Sequence, residues 1–254
     1  MLGLACALAL AAAALALGGA DRPVFLAVNG GAQALPAAVP SGLTVLGHGL
    51  VAVMLLAPFL RHAPWVLLAG LYATPAASLF SWAGKRLASA PRPAAVLDPA
   101  LVHVQGMLLR GNNSFPSGHS ITIFVVACVV VLGLPAGRGR TAAVIGALLL
   151  ALSVAASRLM VGAHWPSDAL AGAALGTVAG VLGTWAARRW PLWRRPLAPL
   201  VLALVVLACG LSLLGTDTGY PDGRPVQWLA AAAGIAAALL ALAQWVRSRR
   251  GPPP

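Results

Sequence analysis

Three short stretches hold most of the residues in this chain that could act on a reacting group. They are KRLASAPRP at 85–93, FPSGHS at 115–120 and SRLMVGAHWPSD at 157–168. In the first, Lys85 brings a point charge and Arg92 a planar fork that fits phosphate oxygens. In the second, Pro116 and Ser117 are helix-start residues ahead of a long apolar run. The first-turn N–H groups of such a helix are unpaired and make an anion site. Gly118 lets the backbone approach closely, and His119 can supply a proton near pH 7. In the third, Arg158 adds a cation, and His164 and Asp168 lie four residues apart. If a helix begins near His164, the two share a face. An Asp that accepts from one ring nitrogen leaves the other nitrogen free and more basic. Each stretch also has an ordinary reading. Cations at the end of a membrane helix snorkel, a capped helix can carry a surface His, and a lone His is usually structural.

The elements that must position these residues are membrane helices. Hydrophobic residues make up 60% of the 254 positions and charged residues only 9%, with mean hydropathy +0.88. A soluble domain carries roughly 25% charge. Eight apolar runs, at about 2–19, 43–60, 64–83, 118–135, 141–157, 167–186, 197–214 and 226–246, are each near the ~20 residues that cross a bilayer. The fold class is therefore all-α, a polytopic helical membrane bundle in one membrane domain. The first run lacks the basic n-region of a signal peptide and is expected to be a retained helix. The RSRRGPPP tail is expected to fray. Arg61, Arg138, Arg140, Arg188, Arg189, Arg194, Arg195, Arg247, Arg249 and Arg250 fall on one side, which the positive-inside rule makes cytoplasmic. Trp82, Trp165, Trp185, Trp190, Trp193, Trp228 and Trp245 sit near helix ends, as interface anchors do.

Composition also excludes. The net charge of +12 comes without any nucleic-acid-binding motif. Cys6, Cys128 and Cys209 lie inside apolar runs, which argues against disulfides and zinc. There is no Glu, and the five Asp are scattered, whereas a two-metal phosphatase needs clustered carboxylates. No metal and no cofactor are expected, with cations standing in the metal's place.

All three stretches fall on the outer face, at the ends of the third to sixth spans. Lys85, Arg86, Arg92, Arg110 and Arg158 thus break the inside bias, and their joint placement favours a bound anion over separate surface features. The sequence resembles the type-2 phosphatidic acid phosphatase superfamily, which also includes vanadium haloperoxidases. Its signature is Lys-x6-Arg-Pro, then Pro-Ser-Gly-His, then Ser-Arg-x5-His-x3-Asp. The chain has Lys85 with Arg92-Pro93, Pro116-Ser117-Gly118-His119, and Ser157-Arg158 with His164 and Asp168, so every position matches. The resemblance covers about residues 40–186.

The resemblance implies that His164 is the nucleophile, forming a phosphohistidine that Asp168 orients. It implies that His119 protonates the departing oxygen and then activates water. It gives Lys85, Arg92 and Arg158 the phosphoryl oxygens, with Ser117 and the Gly118 N–H completing the cradle. A six-helix catalytic core, about 40–186, is expected, with a C-terminal helix pair at about 197–246 appended to it. Arg86, Arg110, Asn112 and Asn113 lie outside the signature, beside a head group or in a plain loop. His48, His62 and His103 are also outside it, with a structural role expected for His48.

The Ala-, Leu- and Arg-rich composition points to a high-GC bacterium, and so to an inner-membrane protein with its site facing the periplasm. The expected activity is hydrolysis of the terminal phosphate of a membrane lipid. Undecaprenyl pyrophosphate stands first among the candidates, with phosphatidylglycerol phosphate, phosphatidic acid and lipid A behind it. Two alternatives stay open: a phosphotransferase that passes the group to a lipid hydroxyl, and a transporter with a basic vestibule.

Overall fold

The computed structural model describes residues 1–249. These residues form eleven α-helices with short 3-10 turns, and there is no strand among the described residues. The protein is a multi-pass helical membrane bundle. In chain order the helices are α1 (Leu2–Leu17), α2 (Asp21–Gly31), α3 (Ala38–Leu46), α4 (Gly49–Leu56), α5 (Pro64–Ala88), α6 (Pro93–Val96), α7 (Gly118–Gly133), α8 (Arg140–Met160), α9 (Pro166–Arg189), α10 (Ala198–Gly215) and α11 (Arg224–Arg249). The last five residues of the expected frayed tail lie outside the described residues.

Each of the eight apolar runs is helical, but not all are single straight spans. Five stretches are long and apolar enough alone to cross a membrane: Pro64–Val96, Arg140–Met160, Pro166–Arg189, Ala198–Gly215 and Pro221–Arg249. Two more stretches reach that length and hydropathy only as bent pairs, in the form of a broken span or a re-entrant loop. α1 meets Asp21–Ala34 at 101°, and α3 meets Gly49–Leu60 at 74°. The second break falls at Gly47-His48-Gly49, where two glycines weaken the helix. There His48 turns extended and its Nδ1 accepts from the Leu50 N–H at 3.3 Å, capping α4. α7 has only 16 residues, about 24 Å of helix against a hydrocarbon core of about 30 Å.

α9 is the organising element. α1, α5 and α7 pack along it, and α1 buries Ala5, Leu8 and Ala12 in the bundle. Close approach to α7 depends on glycines four apart, which let helix backbones meet. A Cβ on Gly172 would lie 2.5 Å from the Ser117 carbonyl oxygen, and one on Gly180 2.6 Å from Cys128 Cβ. Between them, a Cβ on Gly176 would collide with the Ile121 carbonyl. This stripe sets the first turn of α7 beside the first turn of α9. On the other side of α7, Gly84 of α5 meets Pro116, so the end of α5 reaches the same level. α10 and α11 form an antiparallel hairpin that packs on α4.

Candidate active site

The cationic side of the site is built by the segment after α5. Ser89 adopts a left-handed conformation (φ 44°) and turns the chain back. The Arg92 N–H donates to the Gly111 carbonyl at 3.1 Å, and the Ser114 N–H to the Ala90 carbonyl at 3.0 Å. Residues 90–92 and 111–114 therefore lie side by side. Across this pairing, Lys85 Nζ donates to the Asn113 carbonyl at 3.0 Å and Arg92 Nε to Asn113 Oδ1 at 2.9 Å. Arg92 is buried, and its Nη1 donates to the Ala163 carbonyl at 2.8 Å. The same Nη1 stands 3.5 Å from His164 Nε2.

His164 does not lie on the helix. α9 begins at Pro166 with Trp165 as N-cap, and His164 precedes it in an extended turn held by its own N–H on the Arg158 carbonyl at 3.2 Å. The four-residue spacing to Asp168 still brings the two together, because Asp168 is the third helical residue and reaches back. Its Oδ2 accepts from the Trp165 N–H at 2.9 Å, completing a capping box, and lies 3.5 Å from His164 Nδ1. Ser114 Oγ donates to the same oxygen at 2.5 Å and lies 3.5 Å from His164 Nδ1. With Nδ1 toward the carboxylate, Nε2 carries the lone pair and faces the cations. Burial, followed by the charges of Arg158, Arg92 and Lys85, holds the His164 pKa well below the ordinary imidazole range; the Ser114 contact opposes this. The ring is therefore neutral, with a free lone pair, at pH 7.

α7 supplies the third side. Ser117 is its N-cap, as its residue type implies, with Oγ accepting from the Ser120 N–H at 3.4 Å. The Ser117 N–H donates to the Asp168 carbonyl at 3.0 Å, tying the two helix starts together. Gly118 and His119 follow, and they line a cavity of about 750 Å³ between α4, α5 and α7. Lys85 and His48 also line it, together with the apolar Leu56, Leu67 and Val126. Arg158, in the last turn of α8, is 2% exposed, and its Nη1 donates to Tyr220 Oη at 3.0 Å. Its Nε is buried without a hydrogen-bond partner among the described residues.

Of the residues outside the signature, Asn113 holds both Lys85 and Arg92, and Arg86 stacks over Trp82 with its carbon Cζ 5.5 Å from the ring centre. His48 is a helix cap that faces the cavity. Trp165 is more than an interface anchor. Its Nε1 donates to the Pro91 carbonyl at 2.9 Å and its ring packs 5.3 Å from Phe25, bracing the turn that carries His164. Trp82, Trp185, Trp190 and Trp228 are exposed.

Several supports went unread in the sequence. Asn29 of α2 is fully buried and donates to the carbonyls of His103, Leu159 and Met160. Asp21 accepts from the Ser167 N–H at 2.8 Å and from its hydroxyl, fastening α2 to the start of α9. Ser114 and Tyr220 complete the set. Polar side chains in a mostly apolar chain were the available signal.

A sequence model of the PAP2 superfamily matches residues 1–194. A lipid A 1-phosphatase from Porphyromonas gingivalis is 38% identical over 73 residues, 29% of this chain and 16% of that protein. One from Rhizobium johnstonii is 34% identical over 109 residues, 43% of this chain and 34% of that protein. The matched segments thus span about a third or less of these relatives' length. The fold resembles the crystal structure of Aquifex aeolicus LpxE, with TM-score 0.52 and 23% identity over 64% of this chain and 93% of that one. It also resembles the PAP2-type phosphatidylglycerolphosphate phosphatase from Bacillus subtilis, with TM-score 0.53 and 24% identity over 74% and 96% of the two chains.

Proposed function

The chain belongs to the PAP2 superfamily, and from that premise we propose that it is a membrane lipid phosphatase working through a phosphohistidine. One observation carries the reading. A neutral, buried imidazole stands with Nε2 3.5 Å from a buried guanidinium, and Lys85 and His119 line a mostly apolar cavity. A phosphate on an acyl or isoprenoid lipid matches both halves, with the head among the cations and a chain in the cavity.

In the first step His164 Nε2 attacks phosphorus in line, the N–P bond forms and the bond to the lipid oxygen breaks. His119 gives its proton to that oxygen. Asp168 accepts from Nδ1–H and stabilises the charge that the ring gains. Lys85, Arg92 and Arg158, with the free N–H of Gly118, take the charge on the equatorial oxygens. In the second step His119 takes a proton from water, the oxygen attacks phosphorus and Nε2 leaves. No step needs a metal ion. The donor set supports this, since among the described residues no three His, Cys, Asp or Glu gather.

Curated relatives named lipid A 1-phosphatase support lipid A as the first substrate to test, ahead of undecaprenyl pyrophosphate. The outer-face cations support a periplasmic site on the inner membrane. Detergent-purified protein with EDTA is to be assayed for phosphate release from lipid A, undecaprenyl pyrophosphate, phosphatidylglycerol phosphate and phosphatidic acid. Release from lipid A is expected, and lost in His164→Ala. Activity abolished by EDTA would remove the metal-free mechanism, and no turnover of any of the four would remove the phosphatase reading.

A further inference from the structure

We infer that the C-terminal helix pair is a working part of the active site, through Tyr220, which positions Arg158. Tyr220 lies beyond the 1–194 segment that matches the family, so a chain without this hairpin lacks the contact. This inference rests on the phosphatase reading of the site.

The loop between α10 and α11 is built to deliver one side chain. Gln227 is 2% exposed and donates to the carbonyls of Leu213 at 2.6 Å and Thr216 at 2.8 Å, holding the loop's base. Asp217 Oδ1 accepts from the Gly219 N–H at 2.9 Å and tightens its turn. The Gly219 carbonyl then accepts from the Met107 N–H at 3.0 Å, which docks the loop on the segment leading to α7. Gly106 (φ 73°) makes the room, since a Cβ there would lie 2.6 Å from Tyr220 Cδ1. Tyr220 ends 4% exposed, with its hydroxyl accepting from Arg158 Nη1 at 3.0 Å and its ring centre 5.4 Å from the guanidinium carbon.

The chemistry of the partner matters. A carboxylate would hold the guanidinium equally well but cancel its charge. A hydroxyl and a ring face orient the cation and leave that charge available to a phosphoryl oxygen. Among the described residues, Tyr220 is the one side chain that hydrogen-bonds this guanidinium. The Arg158 carbonyl in turn accepts the His164 N–H. Tyr220 is thus a positioning residue that acts on the transferred group through Arg158.

The test is Tyr220→Phe, which keeps the ring and removes the hydroxyl. Tm should stay within a few degrees of wild type, while kcat/KM for lipid phosphate and the affinity for orthovanadate, measured by calorimetry, each fall about tenfold. In an Arg158→Lys background the same change should cost less than about threefold, because residues that act as a unit are not additive. A residue that only holds the loop would lower Tm and leave orthovanadate affinity per folded molecule unchanged. Wild-type orthovanadate affinity in Tyr220→Phe, or full additivity with Arg158→Lys, overturns the inference while the phosphatase reading stands. If wild type neither hydrolyses lipid phosphate nor binds orthovanadate, the phosphatase reading falls and takes this inference with it.

Discussion

Ser114→Ala tests whether the carboxylate beside the imidazole is held for catalysis. Ser114 Oγ is fully buried and donates to Asp168 Oδ2 at 2.5 Å. A hydrogen bond to a charged group contributes about 1.5–3 kcal/mol. The lower end applies, because the Trp165 N–H still bonds the same oxygen at 2.9 Å and Asp168 is not orphaned. About 1.5 kcal/mol is close to tenfold in rate. The 3.5 Å gap between His164 Nδ1 and Asp168 Oδ2 is longer than a formed hydrogen bond. A carboxylate that has lost one of its two fixed donors closes that gap in a less defined orientation. Kinetics on detergent-purified protein should show kcat reduced about tenfold, KM changed less than threefold and Tm lowered by a few degrees. A kcat within twofold of wild type would refute the positioning role. So would a loss that follows the folded fraction alone.

Three further outcomes are expected. The His164 pKa is held below 6.5 by burial and by Arg158, Arg92 and Lys85. Its ring should stay neutral as pH falls from 8 to 6.5, and the stability it contributes should be lost only below the unfolded-state pKa of about 6.5. 15N shifts of labelled histidine, assigned through His164→Gln, read this directly, and an imidazolium at pH 6.5 contradicts it. Asn113→Asp would set a carboxylate against Arg92 Nε, now 2.9 Å from the amide oxygen. It should raise KM for lipid phosphate at least about fivefold by neutralising a phosphate-binding charge, and an unchanged KM would show that Arg92 does not bind the substrate. Gly176→Val would press on the Ile121 backbone. Thermal unfolding should show a loss of about 1–3 kcal/mol, with activity falling further than the folded fraction because the first turn of α7 shifts. A wild-type Tm and activity would refute the close Gly176–Ile121 approach between α7 and α9.

That Ser117 would start a helix and that His164 and Asp168 would meet was legible in the sequence, because both follow from residue type and local spacing. Ser117 caps α7, and the four-residue step from His164 to Asp168 closes whether or not the first residue is helical. The helical class was legible because a bilayer demands long apolar runs that satisfy their own backbone. The break at His48 was not, since a Gly-His-Gly triplet within an apolar run leaves hydropathy almost unchanged.

By itself, then, the sequence determined an all-α membrane chain with three polar clusters on one face. Hydropathy and spacing are local properties, and they survive without knowledge of the neighbours. Tertiary structure alone decided what those clusters touch. The α9 glycines bring Ser117 beside Asp168, Asn113 gathers Lys85 and Arg92, and Asp21 and Asn29 of α2 brace the rim. Tyr220 reaches Arg158 across 62 positions of chain. Contacts of that range depend on which helix faces pack, and an apolar helix with nearly uniform faces does not announce its partner.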